Sequence, residues 1–312
     1  MSLAVVSQGG DGSVVVRRVD AGDRQPALAM LLTGRTRVSP ETIEGFLGLF
    51  DQPGMAQDQL WAAYRRERLL SSALLVAGAG RTAMCFVSPI FEGALVPVVG
   101  QLVGAVCSHQ DPNRVRVIQA LLDPGQRFES QALSGAGFTE VACLHYMQQS
   151  VLSPAASGSF DSSVELLTWN EQRRSLFSQA IGASYENTLD CPKLLGLRQM
   201  DDIIDGHMAT GCFSPDLWFV LVDRTRPVAV MLLNMVPKQN AVELVYLGVC
   251  PSWRKRGVGK QLVRHGLACG YARGVSTMIL AVDQANAPAK QLYRNLGFVV
   301  HARKSAMIFA LP

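Results

Sequence analysis

Three groups able to do chemistry follow one another in the last third of the chain. Glu243 sits in VELVYLGV, eleven residues before Arg254; RKRGVGK covers 254–260; and Tyr293 lies in NAPAKQLYRNLGF, 286–298. A carboxylate in an apolar strand can accept a proton from a nucleophile, and a phenol can return one to a departing group. Between them, Gly257 and Gly259 leave main-chain N–H groups bare at the start of a helix, with Arg254, Lys255, Arg256 and Lys260 around them. The dipole at a helix start adds about half a positive charge there, so the loop suits a polyanion.

Two common phosphate loops do not fit. A Walker A loop needs Gly at the place of Arg254 and Ser or Thr at that of Gln261, and a dinucleotide fingerprint needs a third glycine where Leu262 stands. What fits is R/Q-x-x-G-x-G/A directly after a strand (Arg254, Gly257, Gly259), followed by N-x-x-A-x-x-L-Y-x-x-x-G-F from Asn286 to Phe298. In both elements, in this order, the chain resembles the GNAT superfamily of acyl-CoA N-acyltransferases.

That resemblance implies an acyl-CoA cosubstrate, acetyl-CoA in the simplest case, and no metal. The pyrophosphate is expected on Arg254, Lys255, Arg256, Gly257, Val258, Gly259 and Lys260, with the pantetheine along Leu247, Gly248 and Val249. Asn286 contacts the pantetheine or caps its helix, Glu243 takes the place of a catalytic base, and Tyr293 takes that of the general acid. The loop 185–199 belongs to the acceptor-covering region, where Tyr185, Glu186, Asp190 and Arg198 are candidates for a small-molecule or peptide amine. A non-catalytic acyl-CoA-binding or sensor protein is the alternative; it would keep the loop without needing Glu243 or Tyr293.

The elements that must position these groups follow from periodicity and turn residues. Strands are expected at 14–19, 72–76, 82–87, 114–122 and 140–147, and helices at 27–32, 42–49, 55–66, 98–108 and 127–134. After SVLSPAASGSFDSS the order restarts: strand 164–169, a helix capped by Asn170, helix 200–210, hairpin 217–236, strand 242–249, helix 260–272, strand 275–282, helix 287–295 and strand 298–309. The segment from Asp123 to Phe138 reappears from Asp283 to Phe298, a displacement of 160 residues. The chain therefore reads as α/β, with two tandem GNAT-like domains, each a mixed and mostly antiparallel sheet flanked by helices: a flexible 1–13, a degenerate domain 14–149, a linker 150–163 and a catalytic domain 164–312. At that displacement Arg254, Gly257 and Gly259 become Ala94, Pro97 and Val99, Glu243 becomes Ala83, and Tyr293 becomes Leu133. The first copy is thus expected not to bind coenzyme A, and loss of residues 1–150 to cost stability more than chemistry.

With 48% hydrophobic and 17% charged residues, the 312-residue chain can bury substantial cores. Net charge is +4, and residues 160–312 carry +5 of it, the remainder −1. That basic excess is too small, and too poor in interleaved aromatics, for a nucleic-acid partner. No apolar run reaches the roughly 18 residues of a membrane span, and the start MSLAVVSQGGDGS lacks a signal-peptide pattern, so a cytoplasmic protein is expected. Seven scattered cysteines and five histidines form neither a disulfide framework nor a zinc pattern. Oligomeric state is not legible.

Overall fold

The computed structural model describes residues 5–6, 13–32, 59–151 and 160–312. The expected helix at 42–49 and most of the linker lie outside them. Two compact units emerge: Met1–Glu140 with Ser305–Pro312, and Val141–Lys304.

In the first unit the order is β1 (Val5–Val6), β2 (Val15–Arg18), α1 (Arg24–Leu32), β3 (Leu60–Arg65), β4 (Arg68–Gly78), β5 (Thr82–Val87), α2 (Val96–Ser108), β6 (Val117–Leu122) and α3 (Arg127–Gly135). Neighbours pair antiparallel except β5 and β6, which are parallel. The helix expected at 55–66 is corrected by β3. Its Leu60, Ala62 and Tyr64 pack with α1, while Trp61 and Ala63 pack with α2. A strand buried on both faces shows no alternation, which hides its period of two.

The second unit holds most of β7 (Thr139–Ser150), then β8 (Val164–Thr168), α4 (Arg174–Ser184), α5 (Met200–Met208), β9 (Trp218–Asp223), β10 (Arg226–Val236), β11 (Ala241–Val249), α6 (Val258–Ala272), β12 (Thr277–Asp283), α7 (Ala287–Asn295) and the first half of β13 (Val299–Ala310). Its sheet order is β13-β7-β12-β11-β10-β9-β8, with β11 and β12 parallel. Val258, Leu262, Val263 and Tyr293 bring α6 and α7 against one face, and Phe177, Ile181, Ile203 and Ile204 bring α4 and α5 against the other.

The units do not follow the sequence boundaries. β7, the last strand of the first repeat, pairs with β12 and places Met147 in the second unit's core. Ser305–Ala310, the end of the second repeat, pairs with β6 and places Met307 in the first unit's core. The first repeat gives nearly all of its last strand to the second unit, and the second gives the end of its own to the first.

The repeat register also shifts. α3 and α7, and β7 and β13, are displaced by 160 residues. Ala83 pairs with Ile118 and Val242 with Met278, however, so β5 and β11 are displaced by 159. The counterpart of Glu243 is therefore Met84, not Ala83, which is core together with Leu133. The extra residue lies between the starts of β11 and β12, since β6 and β12 are again displaced by 160.

Candidate active site

β11 carries the site because its pairing is interrupted twice. On the β10 side, Leu232 faces Tyr246 and Leu233 faces Leu244, leaving Val245 as a bulge; the equivalent β4–β5 hairpin runs without a break. A bulge inserts one residue and reverses the facing of everything beyond it. Before it Val242 and Leu244 face α6 and α7; beyond it Leu247 and Val249 face them, while Tyr246 faces α4 and α5. On the other side, parallel pairing with β12 stops at Leu244↔Leu280, although β11 continues to Val249. The strands part where the loop begins.

Gly248 fixes how closely α4 approaches this point. A Cβ there would lie 2.2 Å from the Ser184 hydroxyl oxygen, so only glycine fits. That hydroxyl hydrogen-bonds the Tyr246 phenol at 2.8 Å, and Tyr185 meets the Tyr246 ring edge-on at 5.8 Å.

The loop then turns through Lys255 (φ 62°) and Gly257 (φ 83°) into α6. No side chain caps α6, and the first of its N–H groups with a main-chain acceptor among the described residues is that of Gln261. A Cβ on Gly257 would meet nothing within 4 Å, so the cradle is open, and Lys255, Arg256 and Lys260 are exposed around it. The Arg256 guanidinium lies over the Trp253 ring at 5.0 Å. Val258 turns its side chain into the core, leaving its N–H to the loop, and Gly259 lies against Leu292 of α7. Open N–H groups, no Cβ and flanking cations fit a pyrophosphate.

Arg254 departs from expectation. Its Nε donates to the Val249 carbonyl at 3.0 Å, and its terminal nitrogens donate to the carbonyls of Ser184 (3.0 Å), Glu186 (2.7 Å) and Asn187 (3.4 Å). The guanidinium thus ties the end of α4 to the end of β11 instead of facing the cradle. It also occupies the Val249 carbonyl, which the sequence reading left for the pantetheine. Glu186 contributes its carbonyl to this tie while its side chain is exposed.

Tyr293 is 6% exposed and packs on Phe298. Burial, then the nearby Asp190 carboxylate, pushes its phenol well above the ordinary value, so it holds its proton at neutral pH. Asn286 caps α7, accepting the Ala289 N–H at 3.2 Å. Asp190, though exposed as a residue, turns its carboxylate inward: Oδ1 accepts the Asp283 N–H at 3.2 Å, and burial raises its pKa. In return Asp283 accepts the Cys191 N–H at 3.2 Å, docking the loop on β12. Burial beside these carboxylates pushes the Cys191 thiol up to about 12, far from a reactive thiolate.

Glu243 is half-buried on the α4 and α5 face, paired with Asn234 on β10 and Ile279 on β12. Burial alone raises its pKa. Asn234 is wholly buried and holds the Trp218 indole at 2.8 Å and the His207 carbonyl at 2.7 Å. His207 stacks on Tyr246, its Nε2 without a partner; burial, then the charge of Arg198, lowers its pKa to about 4, so it is neutral. Arg198 and Asp190 also act on Tyr185, whose phenol burial raises. Of the loop candidates, Tyr185 packs on Tyr246, with Arg198 and Asp190 within electrostatic reach of its phenol. Ser184, Tyr246 and His207 were missed because each has an ordinary role in a strand or helix pattern; Gly248, expected only beside the pantetheine, was the available signal for the close approach of α4.

Residues 189–298 match the Acetyltransferase (GNAT) family. That stretch, about a third of the chain, is what resembles the family. Curated sequences similar to the chain include mycothiol acetyltransferases of Thermobifida fusca (37% identical over 95 residues, 28% of this chain and 29% of that one), Segniliparus rotundus (42% over 66 residues, 21% and 25%) and Streptomyces avermitilis (34% over 111 residues, 35% and 35%). The matched stretch is thus about a third or less of each relative's length. Over the whole chain the fold is that of tandem GNAT proteins. A GCN5-related N-acetyltransferase from Sphaerobacter thermophilus superposes with a TM-score of 0.63 at 16% identity, covering 97% of both chains. A tandem GNAT protein from the clavulanic acid biosynthesis pathway gives 0.54 at 14% identity, covering 95% of this chain and 98% of that one. Among the described residues no cluster of His, Cys, Asp and Glu could hold a metal ion, and no helix is long and apolar enough to cross a membrane.

Proposed function

We propose that the chain is an N-acetyltransferase that moves the acetyl group of acetyl-CoA to the primary amine of a small molecule in the second unit. The observation that carries this reading is the coincidence of the open Gly257 cradle with two proton-handling groups of opposite suitability. Glu243, with a pKa raised by burial, is a stronger base than a surface carboxylate, and Tyr293 remains a protonated donor. The amine nitrogen attacks the thioester carbonyl and forms the C–N bond; its proton passes to Glu243 through water. The C–S bond breaks, and Tyr293 supplies the proton of the departing thiolate. The pyrophosphate rests on the N–H groups of 257–260 between Lys255, Arg256 and Lys260, and Arg254 holds the loop rather than the ligand. Tyr185, Asp190 and Arg198 line the acceptor side.

In this reading the first unit neither binds coenzyme A nor catalyses: Met84 and Leu133 replace the base and acid, and Pro97 opens its helix in place of the glycine cradle. The protein works in the cytoplasm, without metal, nucleic acid or membrane. The family match and the relatives' names support acetyl transfer, and a mycothiol-type acceptor is the first to test. A screen of that acceptor with small amines, peptides and aminoglycosides, reading thiol release from acetyl-CoA, should find amine-dependent release. Tight acetyl-CoA binding with release by no amine would favour a non-catalytic sensor.

A further inference from the structure

Tyr146 shares a sheet face with Glu243, although it comes from the last strand of the first repeat. On β7 it is the partner of Ala281, and on β11 Glu243 is the partner of Ile279; Ile279 and Ala281 are two apart on β12. Residues two apart on a strand, and residues directly opposite one another, lie on one face. All four therefore face away from α6 and α7, which cover the other face over Val242, Met278 and Met147. Ala281, paired with Tyr146 on β7 and one residue past the last pair with β11, is exposed to solvent, so this face is open where the strands part. The Tyr146 ring meets that of His301 edge-on at 6.4 Å. Burial, then the charge of Glu243, raises the Tyr146 phenol above its ordinary value, which places the carboxylate within electrostatic reach.

We propose that the acceptor amine is seated over Ala281 between Glu243 and Tyr146, with the Tyr146 phenol hydrogen-bonding a polar group of the acceptor beside its amine. This rests on the acetyl-transfer reading and adds a specificity-determining residue to it. Charge complementarity supports the occupant: an ammonium arriving from solution meets the Glu243 carboxylate, and Tyr146 offers a neutral donor and acceptor without a competing charge. The seat is continuous with β11, where the parted strands and the bulge lie. Because β7 closes the first repeat, that repeat supplies a residue to acceptor choice although it lacks the anion loop.

The test is steady-state transfer from acetyl-CoA to glucosamine, whose amine has a hydroxyl neighbour, and to cyclohexylamine, which has none, in the full chain and in Tyr146→Phe. The variant keeps the ring against His301, and an unchanged unfolding temperature would verify that the fold is retained. The full chain should prefer glucosamine. In the variant, KM for glucosamine should rise about five- to tenfold, the equivalent of one hydrogen bond. KM for acetyl-CoA, kcat and the cyclohexylamine rate should stay within about twofold. An unchanged KM for glucosamine, or an equal loss with both amines, would overturn the role of Tyr146 while leaving acetyl transfer standing. Thiol release with neither amine would count against the acetyl-transfer reading itself and take this proposal with it.

Discussion

Glu243 and Tyr293 are separated by how their surroundings treat a proton. Both are raised by burial, which makes the carboxylate a better base and keeps the phenol protonated. Tyr293→Phe preserves the contact with Phe298 and removes only the hydroxyl; turnover should fall by roughly 100-fold with acetyl-CoA affinity unchanged. Glu243→Gln should remove the acidic limb of the pH–rate profile, because activity needs the carboxylate ionised and is lost as pH falls through its raised pKa. The stability consequence has the opposite sign. A carboxyl whose folded pKa is raised binds more protons folded than unfolded, so stability falls as pH rises through that window. Glu243→Gln should therefore unfold at a higher temperature than the parent above the window and match it below; thermal melts across pH would check this, and a destabilised variant at neutral pH would contradict the burial argument. Glu243, Tyr293 and Gly257 were legible because strand position, helix spacing and glycine each restrict what a residue can do. Arg254 was legible only as a charge. The sequence says that it is basic beside a glycine loop, but the direction of its guanidinium is set by carbonyls 67 to 70 residues earlier in the chain.

The Arg254 tie connects two elements, α4 and β11, and its loss should be felt there. Arg254→Ala leaves the carbonyls of Ser184, Glu186 and Val249 without their charged donor, at a cost of about 2 kcal/mol, since hydrogen bonds to charged groups contribute about 1.5–3 kcal/mol. Calorimetric melts should show the loss in the absence of any ligand, and a variant as stable as the parent with weaker acetyl-CoA binding would restore the phosphate-contact role. Element existence was largely readable from the sequence, including both GNAT-like hairpins and the two Gly-Phe turns, where Gly137 and Gly297 take φ 96° and 90°. β3 was not, because burial on both faces erases alternation and its Ala62–Ala63 pair suits a helix. The Val245 bulge was equally hidden: an apolar run looks the same with or without one unpaired residue.

At the scale of the whole molecule, the exchange of last strands changes what a fragment can do. A chain of residues 164–312 lacks β7, and with it Met147 and the pairing along β12, leaving an open edge and a gap in the core beneath α6 and α7. Such a fragment should lose cooperative unfolding, followed by circular dichroism; a fragment that melts like the full chain and binds acetyl-CoA would show that β7 is dispensable. Loss of residues 1–150 is thus expected to strip β12 of its β7 partner and so to disturb the second unit as well as the first. The tandem plan was visible because repeated turns and helices recur at fixed spacing, whereas the destination of a last strand is decided by long-range pairing, β7 with β12 and the end of β13 with β6, which a local pattern does not encode. The central claim is one acetyl-CoA site per chain, built on the Gly257 cradle. Isothermal titration of the full chain with acetyl-CoA should give a stoichiometry near one, and Gly257→Val, whose branched side chain would sit in the open cradle at φ 83°, should abolish binding while α6 still folds. Two sites per chain, or unchanged affinity in a folded Gly257→Val variant, would contradict it.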